Sequence, residues 1–184
     1  MGVSVRRAIN YLCWCLFLAL GYFLLGKLAL FISVTEVSPI WPSAGFSLWV
    51  LLFKGWRLFP GVLLGSLAAY LDYGLVFLCA LIMAVGVSLA TLTSWFLLMR
   101  VRYQQMNAGD LTPINNFILF GCAIPHLVSA AIGNISLLGF GVIDQQAFWV
   151  GFGSWWFGDA LGAMIFGWML IVALPPEFGP RTNI

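Results

Sequence analysis

The stretch WWFGDALG, residues 155–162, decides the fold and directs the search for a site. It lies in an apolar run from about Phe148 to Leu174, and a transmembrane helix needs about 20 such residues. Asp159 falls near the middle of this run, where inserting a carboxylate costs roughly 2.5–3.5 kcal/mol. The sequence therefore predicts a packed interior helix whose carboxylate marks a functional site. The alternative interpretation is that Asp159 only joins helices through a hydrogen bond.

Composition places the whole chain in the membrane. Of its 184 residues, 62% are hydrophobic, which is more than a soluble domain of this size carries. Only 8% are charged, which is less than such a domain carries. We expect one domain, residues 1–184, that is all-α: a polytopic integral membrane helical bundle. The net charge of +2 is no nucleic-acid signature. A single histidine, no cysteine cluster and no phosphate-binding loop predict a protein that is not an enzyme and holds no metal or cofactor.

Four cysteines lie in apolar runs and are predicted to be packing residues: Cys13, Cys15, Cys79 and Cys122.

Hydropathy and charge together predict six crossings, at about 8–34, 42–56, 58–72, 75–99, 113–140 and 147–174. With both termini in the cytoplasm, seven of the eight basic residues face inside, at Arg6, Arg7, Lys54, Arg57, Arg100, Arg102 and Arg181. The outside loops then carry the acids Glu36, Asp72 and Asp144. Segments two and three are short, but a re-entrant hairpin would place Lys54 and Arg57 deep in the membrane. We therefore predict full crossings.

Small residues recur at helical spacing and predict close helix packing. Gly158 and Gly162 share one helix face, and so do Gly61 and Gly65. The short second and third helices begin at prolines, whose missing N–H costs nothing in the first turn of a helix. A further stripe on the fourth crossing, Gly86, Ala90 and Ser94, is predicted to be an exposed face for a membrane partner or for self-association.

Four polar side chains are predicted to lie inside the membrane: Lys27, His126, Asn134 and Asp159. Residue counting puts Lys27 and Asp159 at depths that differ by about 6 Å, so they could pair. Lys27 reaching outward toward Glu36 is the equal alternative. His126 either binds a ligand or satisfies a carbonyl freed by Pro125, which should also kink its helix.

Aromatic residues gather near the same depth. Trp41, Trp155 and Trp156 are predicted to cluster in the outer half, where they could wall a pocket or serve for packing and anchoring. We expect a cavity open to the outer side, floored near Asp159 and bounded by Trp155 and the Trp41–Gly45 turn. The predicted ligand-binding residues are Trp41, Ser43, Trp155, Asp159, His126 and Lys27.

Four segments carry a family resemblance. VSPIWPSAG, residues 37–45, resembles the "VSPxWPxAG" signature of the bacterial membrane-associated sensor domain, MASE type one. FPGVLLG, residues 59–65, is similar to that family's "PGxxLG" helix start. SAAIG, residues 129–133, resembles its "SAxIG", and the stretch at 155–162 matches its "WWxGDxxG". The segments occur in family order.

The resemblance implies a sensory input module of the bacterial inner membrane that precedes histidine kinases or enzymes of cyclic di-GMP turnover. This chain departs from the pattern, because it ends after six crossings, lacks an output domain, and has no proline at residues 165–168. We therefore expect a non-catalytic module that signals to a membrane partner, to a second copy, or to output domains absent from the chain. It would contact the bilayer and a small-molecule ligand, but no nucleic acid. Alternatives are a substrate-binding component of a vitamin transporter, or a structural subunit of a larger membrane complex.

Overall fold

The computed structural model describes residues 2–32, 40–101 and 111–174, and these residues form helices and turns without a strand. Several residues used in the sequence analysis lie outside the described residues: Glu36, Arg102, Arg181 and the first three residues of the VSPIWPSAG segment.

The helical elements lie within a few residues of the six predicted segments, except that α1 already begins at Gly2. Two of the long helices contain π-helical segments, which we call the first and second π segments. In chain order the elements are α1 Gly2–Ile32, α2 Pro42–Lys54, a 3₁₀ turn Trp56–Leu58, α3 Phe59–Asp72, α4 Phe77–Val101, α5 Thr112–Asn116, the first π segment Phe117–Ala123, α6 Ile124–Gly139, α7 Gln145–Gly162, the second π segment Ala163–Gly167, and α8 Trp168–Ala173.

Four helical stretches are long and apolar enough to cross a membrane: Ser4–Phe31, Phe77–Val101, Thr112–Gly139 and Gln145–Ala173. By contrast, α2 has 13 residues and α3 has 14, so each is about 20 Å long at 1.5 Å per residue. The chain is thus a polytopic helical membrane bundle in which two short helices accompany four long ones.

The centre of the bundle is α2. Every residue from Pro42 to Leu52 is buried, and α2 packs against α1, α4, α7, α8 and the second π segment. A helix that is apolar on all sides is stable only when it is surrounded by protein or lipid, and here protein surrounds it. Its first residue, Pro42, suits a helix start because proline has no N–H to leave unpaired.

Glycines allow α3 to lie directly on α1. A Cβ atom at Gly61 would lie 2.7 Å from the carbonyl oxygen of Cys15, and one at Gly65 would lie 2.5 Å from that of Ala19. Real Cβ atoms do not approach so closely, so these contacts require glycine.

The prediction that Gly86, Ala90 and Ser94 form an exposed partner surface is wrong. All three are buried, and a Cβ atom at Gly86 would lie 2.8 Å from the side chain of Ile132 in α6. The stripe therefore packs α4 on its neighbours within the chain. Small-residue spacing favours close helix contact, but it does not say whether the second helix belongs to the same chain.

The cysteines are unpaired among the described residues. Cys15, Cys79 and Cys122 are buried in the apolar interior, as their packing role requires, whereas Cys13 is exposed on α1.

Pro125 disturbs its helix by widening the turn before it. The N–H of Ile124 donates to the carbonyl of Leu119, five residues back, and the next residue, Pro125, has no N–H. Because a proline ring clashes with the carbonyl four residues earlier, a wider turn relieves the crowding. The kink predicted at Pro125 therefore appears in the structure as the wider turns of the first π segment.

Candidate functional site

Asp159 lies inside the bundle, where α7 faces α6. Its relative exposure is 4%, and the hydroxyl of Ser129 donates to its Oδ2 atom at 2.8 Å. The same hydroxyl is 3.0 Å from the carbonyl oxygen of His126, but its single proton favours the shorter bond to Asp159. The carboxylate thus faces the protein interior and links two long helices.

The start of α2 is held against this point. The backbone N–H of Trp41 donates to the carbonyl of Gly158 at 3.0 Å. A Cβ atom at Gly162 would overlap the carbonyl oxygen of Trp41, so glycine is required there as well. Gly158 and Gly162, on either side of Asp159, therefore let the backbone of Trp41 pack directly against α7.

From the other side, α1 contacts the same turn through Tyr22. The indole Nε1 of Trp41 donates to the Tyr22 hydroxyl at 3.2 Å, and the Ser43 hydroxyl donates to the Tyr22 carbonyl at 2.9 Å. The start of α2 is consequently bonded to both α1 and α7.

Aromatic side chains complete the surroundings of the carboxylate. Trp155 precedes Asp159 by four residues and so lies on the same helix face; its indole packs on Gly133 and has its ring centroid 6.0 Å from that of Tyr70. Tyr22 and Tyr70 are both buried; Tyr22 accepts from the Trp41 indole, and Tyr70 lies beside Trp155. We call this group the Asp159 cluster, with members Tyr22, Trp41, Ser43, Tyr70, His126, Ser129, Trp155 and Asp159.

His126 belongs to the cluster and also bonds its own helix. Its ring is buried, and its backbone carbonyl lies 3.0 Å from the Ser129 hydroxyl that bonds Asp159. Its Nδ1 atom is 2.6 Å from the carbonyl oxygen of Cys122. Because a carbonyl can only accept, Nδ1 carries the proton in this bond.

Lys27 is not part of the cluster, and its predicted pairing with Asp159 is wrong. It forms an ion pair of 2.7 Å with Asp72 at the end of α3, and the two side chains are 51% and 43% exposed. Counting residues compares the depths of the two side chains in the membrane, but it does not give the direction in which each side chain points around its helix. At about 100° per residue, Lys27 points roughly 140° away from Tyr22, which faces the cluster.

The other predicted polar and aromatic candidates lie nearby. Asn134 is buried, donates to the Ala130 carbonyl at 3.0 Å and packs against Gly151 of α7. The Nε1 atom of Trp156 donates to the Ala123 carbonyl at 2.8 Å. Among the described residues, no group of three or more His, Cys, Asp or Glu side chains could hold a metal ion.

The cluster lies well below the outer end of α1. Tyr22 precedes Ile32 by ten residues, which corresponds to about 15 Å along the helix. Since Trp41 bonds Tyr22, α2 begins at this depth, and α3 ends only two residues after Tyr70. With the predicted topology, the Asp159 cluster therefore occupies the outer half of the membrane.

Sequence reasoning missed Tyr22 and Tyr70 as site residues. Each lies in an apolar helix, where the sequence does not distinguish a tyrosine of a site from one that only packs. Tyr70 carried a weak signal, because it lies on the same short helix as Gly61 and Gly65, which were predicted to pack closely.

A polytopic helical bundle with a buried carboxylate, hydroxyls and indoles at its centre defines an integral membrane domain built around a polar core. Residues 12–180 match the MASE1 family, so the chain belongs to that family and is a membrane-associated sensory domain. The resemblance carried by the four segments is thus confirmed. No curated protein and no solved structure matches the chain.

Proposed function

We propose that this domain is a non-catalytic, multi-pass sensory module of the bacterial inner membrane. It binds a small molecule from the periplasm in the Asp159 cluster and passes the signal to a protein partner or an output domain. The observation that carries the proposal is the buried Asp159–Ser129 bond, because ionisable groups within membranes are costly and are usually functional.

The cluster suits a receptor site because it joins most of the bundle. Its members come from α1, α2, α3, α6 and α7, so a ligand that displaced one of these bonds would change how five helices sit together. A ligand shifts such an equilibrium only through different affinities for the two arrangements. Hydrogen bonds that exist in one arrangement supply that difference.

The side chains indicate the chemistry of the ligand. Two indoles and two phenols offer flat apolar faces with a polar edge, and Asp159 offers an acceptor. We infer a small molecule with a planar or apolar body and at least one hydrogen-bond donor.

Thermal unfolding in lipid nanodiscs against a library of small metabolites tests this proposal. A ligand should raise the midpoint of thermal unfolding of the parent domain and leave the midpoint of the Asp159→Asn variant unchanged. The matched control is Asp144→Asn, because Asp144 only caps the start of α7 by accepting from Ala147 at 2.8 Å. If a ligand raised the unfolding midpoint of Asp159→Asn as much as that of Asp144→Asn, the ligand would bind outside the Asp159 cluster.

Signalling to another protein is a separate part of the proposal. The α4 stripe is buried and is not available for such a contact, so a partner has to use another face. Cross-linking in native membranes tests for a partner or a second copy. A domain that remains a monomer without cross-linked neighbours would argue against transmission through another chain.

A further inference from the structure

The two π segments lie side by side, on the inner side of the Asp159 cluster. The ring centroids of Phe117 and Trp168 are 5.3 Å apart, and a Cβ atom at Gly167 would lie 3.4 Å from the Phe117 ring. Each π segment interrupts one of the two long helices that the Ser129–Asp159 bond joins. The bundle therefore has two adjacent irregular turns directly below its polar centre.

Side chains at the level of the cluster cap the end of the first π segment. The His126 ring bonds the Cys122 carbonyl at 2.6 Å, and the Trp156 indole bonds the Ala123 carbonyl at 2.8 Å. Cys122 and Ala123 are the last two residues of that segment. A π turn lengthens or redirects the usual helical bonds, so its carbonyls gain from outside donors. The irregular turn and the cluster are thus connected by hydrogen bonds.

The second π segment begins four residues after Asp159 and rests on α2 through bare backbone. A Cβ atom at Gly45 would overlap the amide of Gly167 and would lie 2.5 Å from the carbonyl oxygen of Gly162. Glycine lies on both sides of this contact, and the nearest side-chain atom there is the Cβ of Phe166. Because no Cβ atom fits between Gly45 and Gly167, this contact distinguishes the present register of the second π segment from one shifted by a residue.

We propose that the second π segment is a register switch controlled by the Asp159 cluster. A π turn holds one residue more than the α-helix that would replace it. Conversion to α-helix therefore shifts α8 by one residue relative to α7, which is about 100° of rotation and 1.5 Å of translation. This inference rests on the proposed function, since it supplies the route from the cluster to the inner end of the bundle.

The two ends of the switch are identifiable. At the outer end, Asp159 is bonded to Ser129. At the inner end, the Trp49 indole of α2 bonds the Leu174 carbonyl at 3.1 Å, just beyond α8. In the present register Ile171 is 8% exposed and Val172 is 66% exposed. A rotation of about 100° in either direction takes Ile171 out of the interior.

A spin-label distance measurement on the full chain in nanodiscs tests the switch. Nitroxides at two exposed positions, Val172→Cys on α8 and Phe96→Cys on α4, leave the interior undisturbed. The four native cysteines are replaced by alanine. The distance is compared for the parent, Asp159→Asn, His126→Ala and the matched control Asp144→Asn. Rotation of α8 should move the label at position 172 on the order of 8 Å, given a helix radius of about 5–6 Å with side chains.

The expected result is a shifted distance in Asp159→Asn and in His126→Ala, and the parental distance in Asp144→Asn. Deletion of Met164 removes the extra residue, so the shift by Asp159→Asn should disappear in that background. An unshifted distance in Asp159→Asn, or a shift that persists without Met164, overturns the switch. Should the deletion variant fail to fold, the comparison of point variants still decides.

Failure of the switch and failure of the proposed function are distinguishable, because the distance measurement needs no ligand. A shift in Asp159→Asn without any hit in the metabolite screen supports the switch and leaves ligand binding unsupported. A ligand that stabilises the parent but moves no label supports ligand binding and rejects the switch.

Discussion

The backbone N–H of Trp41 donates to the carbonyl of Gly158 at 3.0 Å, which places the first turn of α2 one residue from Asp159. This bond brings together two of the four segments that carry the family resemblance. The third segment joins them through Ser129, whose hydroxyl donates to Asp159. The fourth segment contains Gly65, which lets α3 pack directly on α1 next to Tyr22. The family motifs are therefore distant in sequence but assemble one polar centre and its support.

The bond between Ser129 and Asp159 should contribute measurably to stability. Buried hydrogen bonds between helices of a membrane protein average about 0.6 kcal/mol and reach about 1.7 kcal/mol in double-mutant cycles. We expect Ser129→Ala and Asp159→Ala each to destabilise the domain, with a coupling free energy in that range. Reversible unfolding of the two single variants and the double variant measures it. A coupling near zero would mean that the two residues act independently.

Gly65 should tolerate no side chain, because a Cβ atom there meets the Ala19 backbone. Overpacking of this kind costs typically about 1–3 kcal/mol, so Gly65→Ala should lower the unfolding free energy by that amount. Gly153 of α7 is the matched control, since a Cβ atom there would meet nothing within 4 Å. Gly153→Ala should be neutral or slightly stabilising, as alanine is the better helix former. Equal effects at both positions would place Gly65 at a lipid-facing surface.

The Lys27–Asp72 pair should matter little for stability. Half-exposed ion pairs contribute about 0–1 kcal/mol, so Lys27→Met should change the unfolding free energy by no more than that. Asp159→Ala, which removes a buried hydrogen-bonded group, should cost more. If Lys27→Met were as destabilising as Asp159→Ala, the Lys27–Asp72 pair would contribute more than a half-exposed ion pair does.

The topology makes a further prediction. Reporter fusions after Arg102 and after Ile184 should read cytoplasmic, and a fusion near Asp144 should read periplasmic, because basic residues are retained on the inner side. A periplasmic signal after Ile184 would invert the assignment of the cluster to the outer half.

Hydropathy and helical periodicity were sufficient to predict the helices, since the length of an apolar run follows the thickness of the bilayer. They also placed Asp159 in the interior and Trp41 and Trp155 beside it. Direction around each helix axis could not be predicted in this way. Lys27 has a suitable depth but faces Asp72, and the Gly86 stripe is a close-packing face that turns inward.

The π segments could not be predicted either. An α turn and a π turn differ by one residue per hydrogen bond, and the same apolar sequence suits both. Pro125 indicated a disturbance in its helix, but its form depends on which carbonyls find other donors. His126 and Trp156 supply two of these donors, and Trp156 comes from another helix.

Access of water to the Asp159 cluster from the periplasm is the most direct test of the sensory site. Gly26 of α1 suits a cysteine probe, because its Cβ atom would make ordinary contacts of 3.4 Å with Trp41 and 3.7 Å with Ser43. In a chain whose native cysteines are replaced by alanine, Gly26→Cys is treated with a charged, membrane-impermeant thiol reagent. Ala90→Cys, buried in α4, is the control for a dry position. Because the hydrated thiolate is the reacting form, we predict rapid labelling of Gly26→Cys from the periplasmic side and none of Ala90→Cys. Labelling of Gly26→Cys as slow as that of Ala90→Cys would show a dry core in which Asp159 only holds helices together, and would contradict the proposed function.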